Sequence, residues 1–159
     1  MKYYIAYGSN LNVSQMSVRC PTAIPIGTTI LEDWRLVFHT HLNIEVAPGH
    51  NAPAVVWEIE DGDEQALDCY EGYPDYYIKR VVSVWVHMFG GGLKRINAMV
   101  YIMRYRHWTQ MPPTAAYYRI VREGYDDFGF EASPLEEALN NAARRGHRKF
   151  DEDKGQNDG

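Results

Sequence analysis

Cysteine is scarce in this chain of 159 residues. Cys20 and Cys69 are the only two, with no CxxC pair, so the sequence carries neither a disulfide framework nor a zinc spacing. No apolar run is long enough for a signal-peptide core or a membrane span, and we expect a cytoplasmic protein with no membrane partner. Long basic runs are missing too. The one basic cluster, Arg144, Arg145, His147, Arg148 and Lys149, is followed at once by Asp151, Glu152 and Asp153, and the net charge is −5. No nucleic-acid partner is expected from such a balance, only a solvated helix end. A P-loop and a dinucleotide fingerprint are both absent. The six histidines are scattered; His39 and His41 share a strand face without a third ligand, so we expect no metal and no cofactor. Ser9 has no base near it in sequence, which speaks against a serine triad.

What is present is a globular composition, 45% apolar, of a length that suits one domain over residues 1–150 and a disordered polar tail over 151–159. Strands are expected at 3–6, 23–31, 34–39 and 54–59, with a loop rich in Asn, Pro and Gly at 41–53. A long strand at 77–88 and its partner at 93–105 form a hairpin around Gly90-Gly91-Gly92. Helices are expected at 12–19, from a cap at Asp63 to Glu71 with Gly72 closing the end, from Pro112 or Pro113 to a stop at Gly124, and from a Ser133–Glu136 capping box to about Arg145. About six strands and four helices, joined mostly by hairpins, predict an α+β fold. Its sheet is expected to be antiparallel and closed or nearly closed.

Two features carry chemistry. The first is Tyr7-Gly8-Ser9-Asn10-Leu11, which leaves a buried N-terminal strand and leads into a short helix. Glycine lets a ligand approach the backbone, and successive N–H groups in such a turn make an anion-binding concavity beside the hydroxyl of Ser9 and the amide of Asn10. The ordinary reading of the same residues is a strand–turn–helix link capped by Asn10 or Asn12.

The second is Glu71. It lies four residues after Leu67 and so shares the face that Leu67 turns to the core. Burial and the negative end of the helix would both raise its pKa towards neutrality, as a general acid/base requires. The competing reading pairs it with Lys79 or Arg80. Tyrosine is abundant, with twelve in all, and Tyr70, Tyr73, Tyr76 and Tyr77 flank the glutamate. Each offers an apolar wall with a hydrogen-bonding tip.

These residues, with Tyr3 to Ala6 before the loop, Met16, Arg19, Cys20 and Pro21 after it, Leu67-Asp68-Cys69-Tyr70-Glu71-Gly72 in the middle, and Pro112-Pro113-Thr114-Ala115-Ala116-Tyr117 further on, resemble the γ-glutamylcyclotransferase-like proteins, including the γ-glutamylamine cyclotransferases and AIG2-like proteins. The resemblance implies a small mixed, mostly antiparallel β-barrel flanked by helices, and a small-molecule γ-glutamyl substrate. It implies that Gly8, Ser9 and Asn10, with Tyr7 and Leu11 beside them, hold the α-amino acid end, that Glu71 is catalytic, and that Tyr77 and Tyr117 line the pocket. The activity implied is release of 5-oxoproline by attack of the substrate's α-amine on its own γ-carbonyl. The alternatives are a non-catalytic γ-glutamyl or carboxylate binding module, and a hydrolase of γ-glutamyl amides on the same fold. The leaving-group side is sought in 41–53, in Tyr73 to Tyr76 and in the Gly90–Gly92 turn, with Glu45 or Asp75 favouring a cationic amine. Monomer and homodimer are both open.

Overall fold

The computed structural model describes the backbone of residues 1–157 and the side chains of residues 1–145. Five strands close into a barrel in the order β1 (Lys2–Ala6), β3 (His41–Ile59), β2 (Ile24–His39), β4 (Tyr77–Met88), β5 (Leu93–Met103). All neighbours run antiparallel except β1 and β5, which meet in parallel at Tyr4 and Met99 and close the ring. The core is aliphatic and aromatic: Ile5, Phe38, Val55, Val56 and Val86 are fully buried. Four helices flank the barrel: α1 (Val13–Arg19), α2 (Asp61–Glu71), α3 (Ala115–Asp127) and α4 (Ser133–Asn157). The architecture is the expected α+β barrel with helices around it.

Several local expectations need correction. The two strands expected at 23–31 and 34–39 are one strand, β2, kinked where Asp33 takes a positive φ of 63°. Residues 41–53 are not a loop but the first two-thirds of β3. There the backbone pairs with β2 from His39↔His41 to Arg35↔Glu45 and Trp34↔Val46, and again from Asn51 onward. Its turn-forming residues build a bulge instead. Gly49, at φ 84°, donates its N–H to Asp33 Oδ1 (2.9 Å), so the extra residues of β3 are tied to the kink of β2.

Helix α2 starts one turn earlier than Asp63. Glu60 is its N-cap, and Asp63 stands at the third position, where Oδ2 accepts the Glu60 N–H (3.0 Å) as half of a capping box. Gly72 ends the helix in the left-handed conformation (φ 64°), as expected. Helix α3 starts at Ala115, with Thr114 as its cap accepting the Tyr117 N–H, so Pro112 and Pro113 precede the helix rather than forming its first turn. It also passes straight through Gly124. That glycine is a packing site and not a stop: a Cβ there would stand 2.6 Å from Leu11 Cβ and 2.8 Å from the Asn12 nitrogen. Ser133 is the first residue of α4 rather than its cap, and Glu136 accepts from Arg122 of α3 (3.1 Å) instead of bonding back. With no proline to stop it, α4 continues to Asn157 rather than ending near Arg145. The polar tail expected at 151–159 falls here, and its side chains and residues 158–159 lie outside the described residues.

Candidate active site

One end of the barrel gathers the residues singled out from sequence. Strand β1 ends at Ala6, and the chain turns through Gly8 into a single 3-10 turn, Ser9–Leu11. The first N–H groups of such a turn have no partner inside it. This turn is pinned from behind by α3. Asn12 Nδ2 donates to the Ile120 carbonyl (3.0 Å) and to Glu123 (3.1 Å), and the Val13 N–H donates to Asp127 Oδ2 (2.9 Å). Leu11 is fully buried beneath α3 against Gly124. It therefore anchors the turn and does not face the cavity.

The cavity has a narrow floor and a wider mouth. Tyr4, Tyr7, Gly8, Ser9, Asn10, Leu42, Glu71, Tyr77, Tyr101 and Tyr117 line the floor. Ser9, Glu71, Tyr77 and Tyr117 are shared with the mouth, which adds His41, Cys69, Tyr70, Gly72 and Tyr76 and encloses about 370 Å³. Of the eight candidate residues, seven thus meet in one place, and Leu11 supports them from outside. A Cβ on Gly8 would sit 3.5 Å from the Tyr117 hydroxyl and 3.6 Å from Leu42 Cβ, filling floor space that glycine leaves open.

Glu71 is oriented by a chain of contacts. Asn10 Nδ2 donates to Glu71 Oε1 (3.3 Å) and to the Tyr4 hydroxyl (2.9 Å). Its direction is fixed by Arg19, whose Nη1 donates to Asn10 Oδ1 and whose Nη2 donates to Gln15 (3.1 Å). The guanidinium lies 3.4 Å from the centre of the Tyr70 ring, and the Tyr70 hydroxyl shares a hydrogen bond with Ser9 Oγ (2.9 Å). Residues from β1's exit loop, α1 and α2 thus form one closed circuit. Burial of its carboxyl end pushes Glu71 up to about 7, and Arg19 opposes the rise. The expected lysine does not compete for it: Lys79 pairs with Asp68 (2.8 Å) and Glu64 (2.9 Å).

The tyrosine hydroxyls are mostly committed to the frame. Tyr7 donates to the Tyr101 carbonyl (2.7 Å), Tyr77 to the Leu42 carbonyl (2.9 Å) and Tyr101 to Asp68 (2.6 Å), while Tyr117 accepts the Leu42 N–H (3.1 Å). Burial drives the Tyr4, Tyr7, Tyr77 and Tyr117 phenols well up, so they stay protonated. Among the described residues no group of three metal-ligating side chains occurs, and His39 faces Glu45 (2.7 Å).

The sequence profile described as "Gamma-glutamyl cyclotransferase, AIG2-like" matches residues 4–124, more than half of the chain. The chain belongs to this family. Human γ-glutamylcyclotransferase is 29% identical over 146 residues, covering 84% of this chain and 73% of the human one. The bovine protein of the same name is 28% identical over the same shares. A solved structure of a γ-glutamyl cyclotransferase superposes with a TM-score of 0.68 at 28% identity, covering 87% of this chain and 85% of its own. The family is one of enzymes, and the barrel is that of the γ-glutamyl cyclotransferase fold.

Sequence inspection missed part of this cavity. Tyr101 lies at the far end of the chain's last strand, and no local pattern points to it. His41 was hidden in the supposed loop. Arg19 was legible only as one residue of the family motif. Two expectations about the leaving-group side fail. Glu45 is turned to His39, and exposed Asp75 contributes only its carbonyl, to Arg106 and His107. The Gly90–Gly92 turn stands at the opposite end of the β4–β5 ladder from Tyr77, about 30 Å away at 3.3 Å per residue.

Proposed function

We propose that the protein cleaves a γ-glutamyl amide by intramolecular aminolysis, releasing 5-oxoproline and a free amine or amino acid. The N–H groups of the Gly8–Asn10 turn and the Ser9 hydroxyl hold the α-amino acid end on the floor. The substrate's α-nitrogen then attacks its own γ-carbonyl carbon. A C–N bond forms to close the five-membered ring, the C–N bond to the leaving amine breaks, and one proton moves from the first nitrogen to the second. Glu71 carries that proton, accepting it as carboxylate and returning it as carboxylic acid. The observation that supports this role is a carboxyl group poised near neutrality and hydrogen-bonded to Asn10 of the same loop. A group with such a pKa serves in both directions.

Nucleophile and electrophile belong to one molecule, so the enzyme need not supply a nucleophile. Its main task is to fold the substrate, an effect that reaches roughly 7–11 kcal/mol in well-oriented intramolecular reactions. The closely set walls of Tyr4, Tyr77, Tyr101 and Tyr117 suit that task. The activity for which human γ-glutamylcyclotransferase, 29% identical, is named supports the same reading.

The test is incubation of purified protein with γ-glutamyl amino acids and γ-glutamylamines, with mass detection of product beside a Glu71→Gln control. The expected result is 5-oxoproline from the wild type alone. Free glutamate in its place would mean hydrolysis. Binding without any product would leave a carboxylate-binding module.

A further inference from the structure

Under the reading above, on which this inference rests, the α-amino acid end of the γ-glutamyl part points at the floor, so the leaving group projects into the mouth. The mouth is walled by rings. His41 stands edge-on to Tyr117 (ring centres 5.1 Å apart) and to Tyr76 (6.3 Å), and Tyr76 is itself stacked on His107 at 4.4 Å. Tyr70 closes the other side with Cys69 beside it.

Three of the four tyrosine hydroxyls of these walls are already engaged. The hydroxyls of Tyr70, Tyr77 and Tyr117 are bonded to Ser9 and to the Leu42 backbone, so ring faces are what they turn to a ligand. Arg19 has donors on Asn10 and Gln15 and its plane against Tyr70, and it does not line the mouth. Burial lowers His41 below the usual histidine value, which keeps it uncharged at neutral pH. Glu71 is the one acidic residue of the lining, and the proton transfer occupies it. An anionic or cationic side chain entering here would lose water and meet no free opposite charge among the lining residues, whereas an apolar one would bury its surface on rings that neighbouring rings already hold in place.

We propose that this mouth is a leaving-group subsite selecting γ-glutamyl conjugates whose departing amine carries an aromatic or bulky apolar side chain. A conjugate with a charged side chain is the poorer substrate.

The experiment compares γ-glutamyl-phenylalanine and γ-glutamyl-leucine with γ-glutamyl-glutamate and γ-glutamyl-lysine on the full chain. These pairs share the γ-glutamyl end and the leaving α-carboxylate, and differ in the side chain alone. The expected result is a kcat/KM for the phenylalanine conjugate at least roughly tenfold above that for the glutamate conjugate, within the range that apolar pockets achieve. Tyr76→Ala should bring that ratio down to about threefold or less. Equal or reversed efficiencies with 5-oxoproline still formed would overturn the subsite and leave the cyclotransferase reading standing. No 5-oxoproline from any conjugate would overturn the cyclotransferase reading, and calorimetric binding of the same four compounds then decides the subsite. Roughly tenfold tighter binding of the phenylalanine conjugate supports it, and equal or absent binding overturns it.

Discussion

Replacing Glu71 by glutamine should stabilise the protein at pH 8 while removing its activity. The carboxyl end is buried, and burial lifts its pKa from the model-peptide value of 4.5 to about 7. Between those two values the folded chain holds a proton that the unfolded chain has released. Wild-type stability therefore falls as pH rises through this window, and the full loss is present above it. At 1.36 kcal/mol per pH unit, a rise from 4.5 to about 7 corresponds to about 3 kcal/mol of destabilisation at pH 8. Glutamine keeps the shape and still accepts from Asn10 Nδ2, but never ionises. Urea unfolding at pH 8 and at pH 4 measures the difference directly. The variant should be about 1–3 kcal/mol more stable than wild type at pH 8 and no more stable than wild type at pH 4, where both states of the wild type are protonated. In the 5-oxoproline assay kcat should drop by about 10²–10⁴, the usual worth of a general acid/base. A variant less stable than wild type at pH 8, or a gap that does not close with acid, would refute a buried ionising carboxyl at this position.

Other perturbations probe the parts around Glu71. Arg19→Gln removes a cation that holds the Glu71 pKa down, so the acid limb of kcat/KM against pH should move to higher pH; Arg19→Lys should restore its position, and an unmoved limb in Arg19→Gln would dissociate Arg19 from Glu71. Gly8→Ala should leave the thermal midpoint within a few degrees but raise KM at least roughly tenfold, because the added methyl meets only ordinary contacts at 3.5–3.6 Å and yet occupies the floor; unchanged KM would clear the floor of any role in binding. Gly124→Ala should cost about 1–3 kcal/mol by forcing α3 off Leu11, read as a lower urea midpoint. Tyr117→Phe should cost about 1–3 kcal/mol by leaving the Leu42 N–H without its acceptor, measured the same way.

The legible parts of this protein were those written locally. Glu71 stands four residues after a core leucine and one before a left-handed glycine, so a helical repeat and a cap locate it and turn it inward. The Tyr7–Leu11 turn announces itself by composition. What stayed hidden depended on distant pieces of chain. Pro48 and Gly49 look like a loop, and only the pairing of 34–39 with 41–46 makes them a bulge in a continuous strand. Gly124 looks like a helix stop because the space it yields is used by Leu11, more than a hundred residues earlier. Tyr101 reaches the cavity through barrel closure between β1 and β5, a non-local pairing that no window of sequence contains.

The site also explains why so much of the chain is spent holding one turn. A carboxyl kept near neutrality by burial works against folding, and α2 by itself would relieve the strain by letting Glu71 fray into water. Its end is prevented from doing so on both sides. Gly72 turns the chain sharply, with the Tyr73 N–H bonded back to Asp68 (2.9 Å), and Asp68 is in turn held by Lys79 and by the Tyr101 hydroxyl. On the other side Asn10 contacts the carboxyl only because Arg19 has fixed which end of its amide faces Glu71. The raised pKa of Glu71 is therefore a property of the assembled barrel end. Mutations that loosen Gly124 or Asp68 should lower the Glu71 pKa towards the ordinary carboxylate value by admitting water or by freeing the side chain. Activity would then be lost with the Gly8–Asn10 turn still present, and chemical-shift titration of the Glu71 side chain against pH would separate that outcome from simple unfolding. A Glu71 pKa that stays near 7 in an Asp68→Ala variant would show that burial by the tyrosine walls alone maintains it.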